Sequence, residues 1–356
     1  MRIALIKTGA LGDVVRTTAL LPGLRRLSPA LDLTWITAPG AIDLVHGLAD
    51  VSLACRIDDP DDAPWRHRRY DWVISLDDGE EECRLASKLT SDRISGGYLG
   101  PDGSRLYTED VEPWFGMGIL RPASRGGLNE ANALKKINTK TVATLLYESL
   151  GLPTPIGQTS LPVAERHRSR ARGWLESVGW GLDRPLVGMN TGAGGRWRFK
   201  SWGESQTAEL ARRVHDKHGA KVVLLGGSAE ASRNEDIASL AGRGGVIAGP
   251  TDLGLLEFTA LIEQCDLLVT SDSLALHLSV AVGRPVVAFF GPTSADEIET
   301  YGLGEKVVTH LECRCCYLKD CDVRPHCMQS ISVDRMEQSV ARWLPHDVFL
   351  ASHIEK

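Results

Sequence analysis

The sequence predicts an α/β protein that contains two doubly wound parallel sheets. Apolar, strand-like runs alternate with amphipathic helical stretches, and this alternation occurs in both halves of the chain. The 356 residues are enough for about two domains of ordinary size. Strands that alternate with helices form parallel sheets covered on both faces, and such sheets bind ligands beyond the carboxyl ends of their strands. We therefore expect two domains that face each other across a cleft.

The strand-like runs define the expected order of elements. In the first half they span residues 3–6, 31–37 and 71–77, and in the second half 185–190, 221–227, 266–272 and 285–291. Amphipathic stretches at 205–218 and 232–241 predict helices. We expect a first domain at residues 1–165, a linker at 166–184, a second domain at 185–330 and a C-terminal helix at 331–356.

The composition excludes several classes of protein. The chain is 43% hydrophobic and 24% charged, and its net charge of -6 gives no reason to expect nucleic-acid binding. No apolar run is long enough to cross a bilayer. Lys7 and Asp13 interrupt the apolar N-terminus, which therefore does not resemble a signal peptide. We expect a cytoplasmic protein with reduced thiols.

The first motif is KTGALGD, residues 7–13, where the first strand gives way to a helix. Gly9 and Gly12 allow a tight turn and the close approach of a ligand to the backbone. Asp13 has two interpretations. It is either the N-cap of the helix, a position that Asp favours, or a general base kept ionised near a helix N-terminus.

The second motif is NTGAGGRWRFKSWGE, residues 190–204, which follows the first strand of the second half. A flexible loop that includes Thr191 and Gly192 is followed by Arg196, Arg198 and Lys200. Backbone amides with fixed cations are typical of a phosphate site. The motif is not a P-loop, because it lacks GK[ST], and a basic surface turn is the alternative.

The third motif is residues 270–293, in which a strand, a short apolar helix, a second strand and GPT follow one another. The amides of Ser273 and Leu274 at the helix start can hold a diphosphate. His277 lies one turn further on the same face, either as a ligand contact or as a core histidine.

Residues 93–132 are Gly-rich and lack a sustained period, which predicts an irregular segment. Trp114, Phe115 and Arg121 lie in it. A single helix is expected at 132–150, with Lys135, Lys136 and Lys140 in its first turns. This basic, partly aromatic surface is interpreted either as an acceptor or anionic-lipid surface, or as an ordinary solvated surface.

Five of the eight cysteines fall between residues 313 and 327. In a reducing compartment such a density of thiols indicates a metal more readily than disulfides. The alternative is a set of thiols without metal. The candidate ligands for a structural Zn or Fe ion are Cys313, Cys315, Cys316, Cys321 and Cys327, and His326 could replace one of them.

Together, the opening IKTGALGDVVRTTALLPGL, the KSW at 200–202 and the segment SDSLALHLSVAVGRPVVAFFGPT resemble glycosyltransferase family nine, the ADP-heptose:lipopolysaccharide heptosyltransferases and their relatives. The resemblance spans nearly the whole chain. It implies a GT-B fold with two Rossmann-like domains. It also implies inverting transfer of a heptose or related sugar from a nucleotide diphosphate to a glycan hydroxyl, with no cofactor required for catalysis.

The resemblance also implies roles for individual residues. Asp13 matches the family's proposed base, and Lys200 matches the lysine that meets the diphosphate. Asp272 matches an acid that contacts the donor sugar, although Leu274 replaces a frequent family glycine. The donor-phosphate segment comprises Ser273, Leu274 and His277, with Gly291, Pro292 and Thr293 beside it. The family's ribose-binding acid is either Glu230 or Glu257.

The resemblance leaves the acceptor and two other functions open. The expected partners are an ADP-heptose-type donor, a lipopolysaccharide or other glycan acceptor, and the inner membrane as a peripheral contact. Gly12, Arg121, Lys135, Lys136 and Lys140 are the expected acceptor-side residues. A protein (autotransporter) heptosyltransferase shares this chemistry, and some of these enzymes carry a Cys-bound iron. A GT-B sugar-nucleotide epimerase and a non-catalytic binding module are the remaining alternatives.

Overall fold

A computed structural model describes residues 1–181, 184–195, 198–242, 244–318 and 320–345. The chain divides into two compact units. The first comprises Met1–Pro162 and Asp296–Glu299, and the second comprises Val163–Ala295 and the chain from Thr300 onward. Each unit has its own sheet and its own apolar core, and each is described separately.

The first unit contains eight strands and seven α-helices in its described residues. The strands are β1 (Arg2–Ile6), β2 (Asp32–Thr37), β3 (Leu53–Arg56), β4 (Arg69–Tyr70), β5 (Trp72–Ser75), β6 (Thr90–Ser91), β7 (Ile94–Leu99) and β8 (Arg105–Tyr107). The helices are α1 (Leu11–Thr17), α2 (Leu21–Leu27), α3 (Ile42–Val45), α4 (Glu80–Lys88), α5 (Glu112–Phe115), α6 (Gly127–Ile137) and α7 (Val142–Leu150).

The main sheet of this unit has the strand order β3-β2-β1-β5-β7-β8. All its pairings are parallel except that of β7 with β8. The central strand β1 is buried from Ile3 to Ile6, as a parallel strand covered on both faces must be. β4 and β6 form a separate two-stranded ribbon.

The second unit contains six strands and seven α-helices in its described residues. The strands are β9 (Leu186–Asn190), β10 (Lys221–Leu225), β11 (Val246–Ala248), β12 (Leu267–Ser271), β13 (Val286–Phe290) and β14 (Gly304–Val308). The helices are α8 (Glu165–Ser177), α9 (Glu204–His218), α10 (Ala231–Ala241), α11 (Leu255–Gln264), α12 (Leu274–Ala281), α13 (Cys327–Ser330) and α14 (Val333–Trp343). The sheet order is β11-β10-β9-β12-β13-β14, and every pairing is parallel.

The predicted α/β class with two parallel, Rossmann-like sheets is confirmed. Residues 166–184, expected as a linker, contain most of α8, which packs on α11 and belongs to the second unit. Arg168 forms a bidentate ion pair with Glu263 of α11, in which Nε lies 2.7 Å from Oε2 and Nη2 lies 3.1 Å from Oε1. Residues 346–356 of the expected C-terminal helix lie outside the described part of the chain.

Two predictions about residues 93–150 are wrong. The segment expected to be irregular contains β7 and β8. β7 requires glycine at position 96, because the backbone there has a φ of +112° and a Cβ atom would collide with the backbone of Ser75. The single helix expected at 132–150 is broken. Asn138 accepts a hydrogen bond from the amide of Lys140 and Thr141 caps α7, so the chain turns between α6 and α7.

Candidate functional site

The carboxyl edge of the second sheet brings together the residues predicted from two separate motifs. Lys200 lies at the end of a 3₁₀ turn, Arg198–Lys200, and Asp272 follows β12 directly. The Lys200 Nζ atom donates to Asp272 Oδ2 at 2.7 Å and to the Asp272 carbonyl oxygen at 3.1 Å. The two side chains are only 13% and 15% exposed, so this is a largely buried ion pair.

The surroundings of Asp272 keep it ionised. Burial by itself would raise the pKa of this carboxyl. The charges of Lys200 and His277, with the hydrogen bond from Lys200, outweigh burial and hold the pKa of Asp272 below its ordinary value of 3.8. The site therefore holds a fixed anion beside a fixed cation, which is a setting suited to a polar, charged ligand.

The start of α12 is organised by polar side chains from neighbouring strands. Ser273 is the N-cap, with extended backbone, and its Oγ lies 2.9 Å from Thr270 Oγ1. Asn190, the last residue of β9, donates to Ser273 Oγ at 3.2 Å and to the Gly192 carbonyl oxygen at 2.7 Å. One amide therefore joins the loop after β9 to the loop after β12. Leu274 is half-buried in the first turn.

The glycine-rich loop after β9 contacts side chains of Glu230 and Asn234. The Thr191 hydroxyl is buried and donates to Asn234 Oδ1 at 2.6 Å, and this hydrogen bond stabilises the conformation of the loop. The Glu230 side chain lies over Gly192, where an added Cβ would come within 2.7 Å of the Glu230 carboxyl carbon. Arg196 lies outside the described residues, and so does the side chain of Arg198.

Sequence reasoning missed two residues of this site, Asn190 and Asn234. Asn190 is a polar side chain at the end of an otherwise apolar strand, which was an available signal. Asn234 is fully buried on α10, and its role depends on a contact 43 residues along the chain, which no local pattern reveals. With Ser201, Arg233 and Ser271, Asn190 and Thr191 line the polar side of a small pocket at this edge.

The GPT segment after β13 lies against the cysteine-rich loop. The carbonyl oxygens of Gly291 and Pro292 accept hydrogen bonds from the amides of Cys315 and Tyr317, at 2.9 and 2.8 Å. A Cβ at Gly291 would collide with the Sγ atom of Cys327. Thr293 of this segment lies near Asp272, and its buried hydroxyl oxygen has no hydrogen-bond partner among the described residues.

The five clustered thiols do not fit a metal centre as the structure places them. Within the part of the chain that is described, no three His, Cys, Asp or Glu side chains are grouped so that they could hold a metal ion. Cys313 is exposed, whereas Cys327 is buried. Burial, together with the nearby thiols of Cys316, Cys321 and Cys313, raises the pKa of Cys327 to about 11, which favours the neutral thiol over the thiolate that metals bind. The described geometry therefore gives no support to the predicted Zn or Fe ion.

Asp13 lies at the carboxyl edge of the first sheet, in the first turn of α1. It is not the N-cap, because Ala10 occupies that position without a side-chain hydrogen bond. The carboxylate, 34% exposed, pairs through Oδ1 with Nη2 of Arg16 at 2.8 Å. Gly12 precedes it within the helix, and a Cβ added at Gly9 would meet no atom within 4 Å. This edge of the sheet thus carries the accessible carboxylate of Asp13 close to a backbone segment, at Gly9, that no group of the described residues covers.

A second, tighter network fixes the loop before Asp13. Lys7 Nζ is largely buried and pairs with Asp77 Oδ1. Asp77 Oδ2 accepts the Thr8 amide at 2.5 Å and the Thr8 hydroxyl at 3.0 Å. The Thr8 hydroxyl also lies 2.5 Å from Glu82 Oε1. Sequence reasoning did not include this network, because Asp77 is about 70 residues from Lys7.

The expected acceptor-side cations have different environments. Arg121 is 11% exposed and donates to Glu112 Oε1 at 2.9 Å and to the Gly116 carbonyl oxygen at 3.1 Å, so it holds the loop together. Lys140 pairs with Glu148 at 2.6 Å. Lys135 and Lys136 are in the last turn of α6, where positive charge favours the helix, and not in the first turns that were predicted. The described helices include none long and apolar enough to cross a membrane.

Comparison with known proteins places this chain among sugar-transferring enzymes. Residues 131–326 match the family described as Glycosyltransferase family 9 (heptosyltransferase). Lipopolysaccharide heptosyltransferase 2 of Escherichia coli (strain K12) is 33% identical over 239 residues, which are 61% of this chain and 65% of that protein. The protein of the same name from Salmonella typhimurium is 26% identical over 319 residues, which are 83% of this chain and 84% of its own length.

Solved structures share the fold. A glycosyl transferase family 9 protein from Veillonella parvula has a TM-score of 0.74 at 18% identity, covering 96% of both chains. The E. coli ADP-heptose lps heptosyltransferase II has a TM-score of 0.67 at 19% identity, covering 96% of this chain and 98% of its own. The iron-containing dodecameric glycosyltransferase TibC of enterotoxigenic E. coli has a TM-score of 0.55 at 14% identity, covering 96% of this chain and 75% of its own. At these identities the likeness concerns the fold, and it agrees with the GT-B architecture.

Proposed function

The chain belongs to glycosyltransferase family 9, and from this premise we propose that it transfers a heptose from an ADP-heptose-type donor to a hydroxyl of a lipopolysaccharide-core glycan. The observation that carries the proposal is the Lys200–Asp272 pair beside the start of α12, because it supplies a cation, an anion and helix amides at one strand edge. The names of the relatives supply the sugar and the acceptor class.

The proposed donor site lies wholly on the second unit. Lys200 would bind the diphosphate and stabilise the charge of the departing nucleotide, which is where electrostatic catalysis acts in such a reaction. The Ser273 and Leu274 amides and His277 would bind the same phosphates, and Asp272 would accept hydrogen bonds from sugar hydroxyls. Glu230 is favoured over Glu257 for the ribose hydroxyls. Glu230 lies over Gly192, whereas Glu257 is engaged by Arg170 at 2.5 Å.

Asp13 of the first unit is the proposed base. It would accept the proton of the acceptor hydroxyl as that oxygen forms a bond to the anomeric carbon. The bond from that carbon to the diphosphate breaks at the same time, and the nucleotide diphosphate leaves with the electron pair. Attack from the face opposite the leaving group inverts the anomeric configuration. In this proposal no metal ion takes part in the chemistry, and we expect EDTA to leave the rate unchanged.

An assay of the full chain with ADP-heptose and a heptose-deficient lipopolysaccharide core tests the proposal. We expect a product heavier by one heptose, with an inverted anomeric centre by NMR. The Asp13→Asn variant should bind ADP-heptose normally in calorimetry while turnover falls by ~100-fold or more, the scale of general base catalysis. Asp43→Asn, at another first-turn acid of the same unit, is the matched control and should keep full activity. Normal turnover by Asp13→Asn would end the assignment of the base. Transfer to a protein and not to the core would favour the autotransporter alternative.

We also propose that the basic surface around Lys135 and Lys136 brings the first unit to an anionic membrane that carries the acceptor. Ile137 is 74% exposed beside these lysines, and an exposed apolar side chain next to cations suits a headgroup layer. Flotation with vesicles containing anionic lipid should lose the protein when both lysines are changed to Glu. Lys217→Glu, on the second unit, is the control. Undiminished flotation of the double variant would refute the membrane contact.

A further inference from the structure

A chain of three side chains from two separate segments of the first unit ends on Asp13. Arg16 pairs with Asp13 at 2.8 Å, and its guanidinium carbon lies 5.6 Å from the centre of the Trp114 ring. That distance is within the range of a cation–π contact. Trp114 is on α5, about 100 residues further along the chain, and not on the helix of Asp13 and Arg16.

The Arg16 side chain is much less exposed than that of Arg212 on α9. It is 18% exposed, whereas Arg212, which forms an equivalent i,i+3 pair with Glu209, is 46% exposed. An exposed pair of this spacing restricts two mobile side chains, and this loss of entropy leaves only a small contribution to stability. A guanidinium already confined against an aromatic ring loses less freedom when it binds a carboxylate, so it can hold that carboxylate in one orientation.

Trp114 lies on a short helix, α5, whose other residues are anchored. The next residue, Phe115, is buried and stacks on Tyr107 with ring centres 5.7 Å apart. Glu112, at the start of α5, accepts from the Tyr107 hydroxyl at 2.6 Å and pairs with Arg121 and Arg125. These contacts anchor α5, the helix that carries Trp114, and none of them involves Asp13.

We propose that Arg16 is a positioning residue for Asp13, held in place by Trp114, so that the packing of α5 sets the orientation of the carboxylate. The inference rests on the proposed role of Asp13 as the base. Proton transfer requires the base within about 3 Å of the hydroxyl, so a carboxylate free to rotate loses turnover while donor binding is unaffected.

Substitutions at Arg16 and Trp114 test the inference in the full chain with the transfer assay. Arg16→Gln should lower kcat by ~10-fold or more, since a displacement of 1 Å in a reacting group can cost about 100-fold. The donor KM should not change. Arg16→Lys retains the charge without the planar fork and should recover part of the loss. Trp114→Leu should reproduce the Arg16→Gln effect, and Trp114→Phe, which retains a ring, should be milder.

Arg93 provides the matched control, because it forms the same arrangement elsewhere in the unit. Its guanidinium lies 4.1 Å from the centre of the Trp72 ring and pairs with Asp110 at 3.0 Å. Arg93→Gln should leave kcat unchanged, whatever it does to the melting temperature. Equal loss of kcat in Arg93→Gln and Arg16→Gln would reduce the effect to general destabilisation and overturn the inference.

The double variant separates this inference from the proposed function. If Arg16 acts through Asp13, adding Arg16→Gln to Asp13→Asn causes no further loss of turnover, because the two residues act as one unit. A further loss equal to that of Arg16→Gln alone would overturn the positioning role while leaving Asp13 as the base. Wild-type kcat in Arg16→Gln, with Asp13→Asn inactive, would do the same. Full activity of Asp13→Asn would instead refute the proposed function.

Discussion

The two units have the same strand order, and each has a Lys–Asp ion pair at the carboxyl edge of its sheet, but the two pairs are built differently. Asp77 and Asp272 both follow the strand next to the first strand of their unit, β5 and β12. Lys7 extends directly from β1, whereas Lys200 comes from a 3₁₀ turn beyond a glycine-rich loop.

The difference lies in what else each carboxylate binds. Asp77 accepts from Lys7 and from both the amide and the hydroxyl of Thr8, so the chain itself occupies it and fixes the loop that leads to Asp13. The Asp272 carboxylate accepts from the Lys200 side chain, which a bound ligand can compete for. The Lys–Asp pair at the carboxyl edge of the sheet thus stabilises a loop in the first unit and forms part of a proposed ligand site in the second.

Removing the charge of Lys200 should give the largest effect. Lys200→Gln is expected to lower kcat/KM for the donor by ~100-fold, because the leaving diphosphate loses its cation. The melting temperature should also fall, because the variant leaves the Asp272 carboxylate largely buried without its cation, so kcat/KM is measured well below the transition. Lys221→Gln, a lysine at the opposite end of the same sheet, is the control. A variant that transfers at the wild-type rate would remove Lys200 from the proposed donor site.

Breaking the pair in the first unit should act on stability. Asp77→Asn leaves the Lys7 ammonium largely buried without its carboxylate, and we expect a loss of about 3 kcal/mol in the free energy of unfolding of that unit. Calorimetry measures it as a lower melting temperature of one transition. Asp58→Asn, in the exposed pair with Arg56, should not shift it measurably. Equal shifts of the melting temperature in Asp77→Asn and Asp58→Asn would contradict the stabilising role of the Lys7–Asp77 pair.

Acidification should distinguish the Asp272 pair from an ordinary surface pair. The pKa of Asp272 is lowered from 3.8 in the folded protein, so its stabilising contribution is complete above that value and is lost as the pH falls through the lower, folded value. The difference in melting temperature between wild type and Asp272→Asn should be constant from about pH 5 to 7 and should shrink below the ordinary value. A difference that already shrinks above pH 5 would contradict the assigned direction.

The smallest effect is expected at the cysteine-rich loop, which has no counterpart in the first sheet. Elemental analysis of the purified protein should find Zn and Fe well below one ion per chain, because the described thiols are not grouped as ligands. Cys316→Ser should then leave the melting temperature and the turnover unchanged. One tightly held ion per chain, lost in this variant, would restore the metal predicted from the spacing of the cysteines.

The sequence was sufficient for the central buried strands and insufficient for the outer strands. The predicted runs 3–6 and 221–227 correspond to β1 and β10, because central parallel strands are uninterrupted apolar sequences. β7 was not predicted, since its SGG interior lacks an apolar period. β14 was missed as well, because only Val307 is fully buried in it.

The candidate site shows the same limit. Lys200 and Asp272 were each identified from a local motif, and the structure joins them although they are 72 residues apart. Asn190, Asp77 and Trp114 matter through partners that lie far along the chain. Such partnerships are set by tertiary packing, which leaves no trace in spacing.

The uneven burial of the eight cysteines makes this protein suited to site-selective labelling. Burial raises the pKa of Cys55 and Cys265 to about 12, and that of Cys83 and Cys327 to about 11, so these four thiols are poor nucleophiles near neutral pH. Cys313 is exposed on the loop beside the GPT segment. A maleimide fluorophore would therefore attach to that loop first, and its emission would report on events at the second unit without any engineered residue.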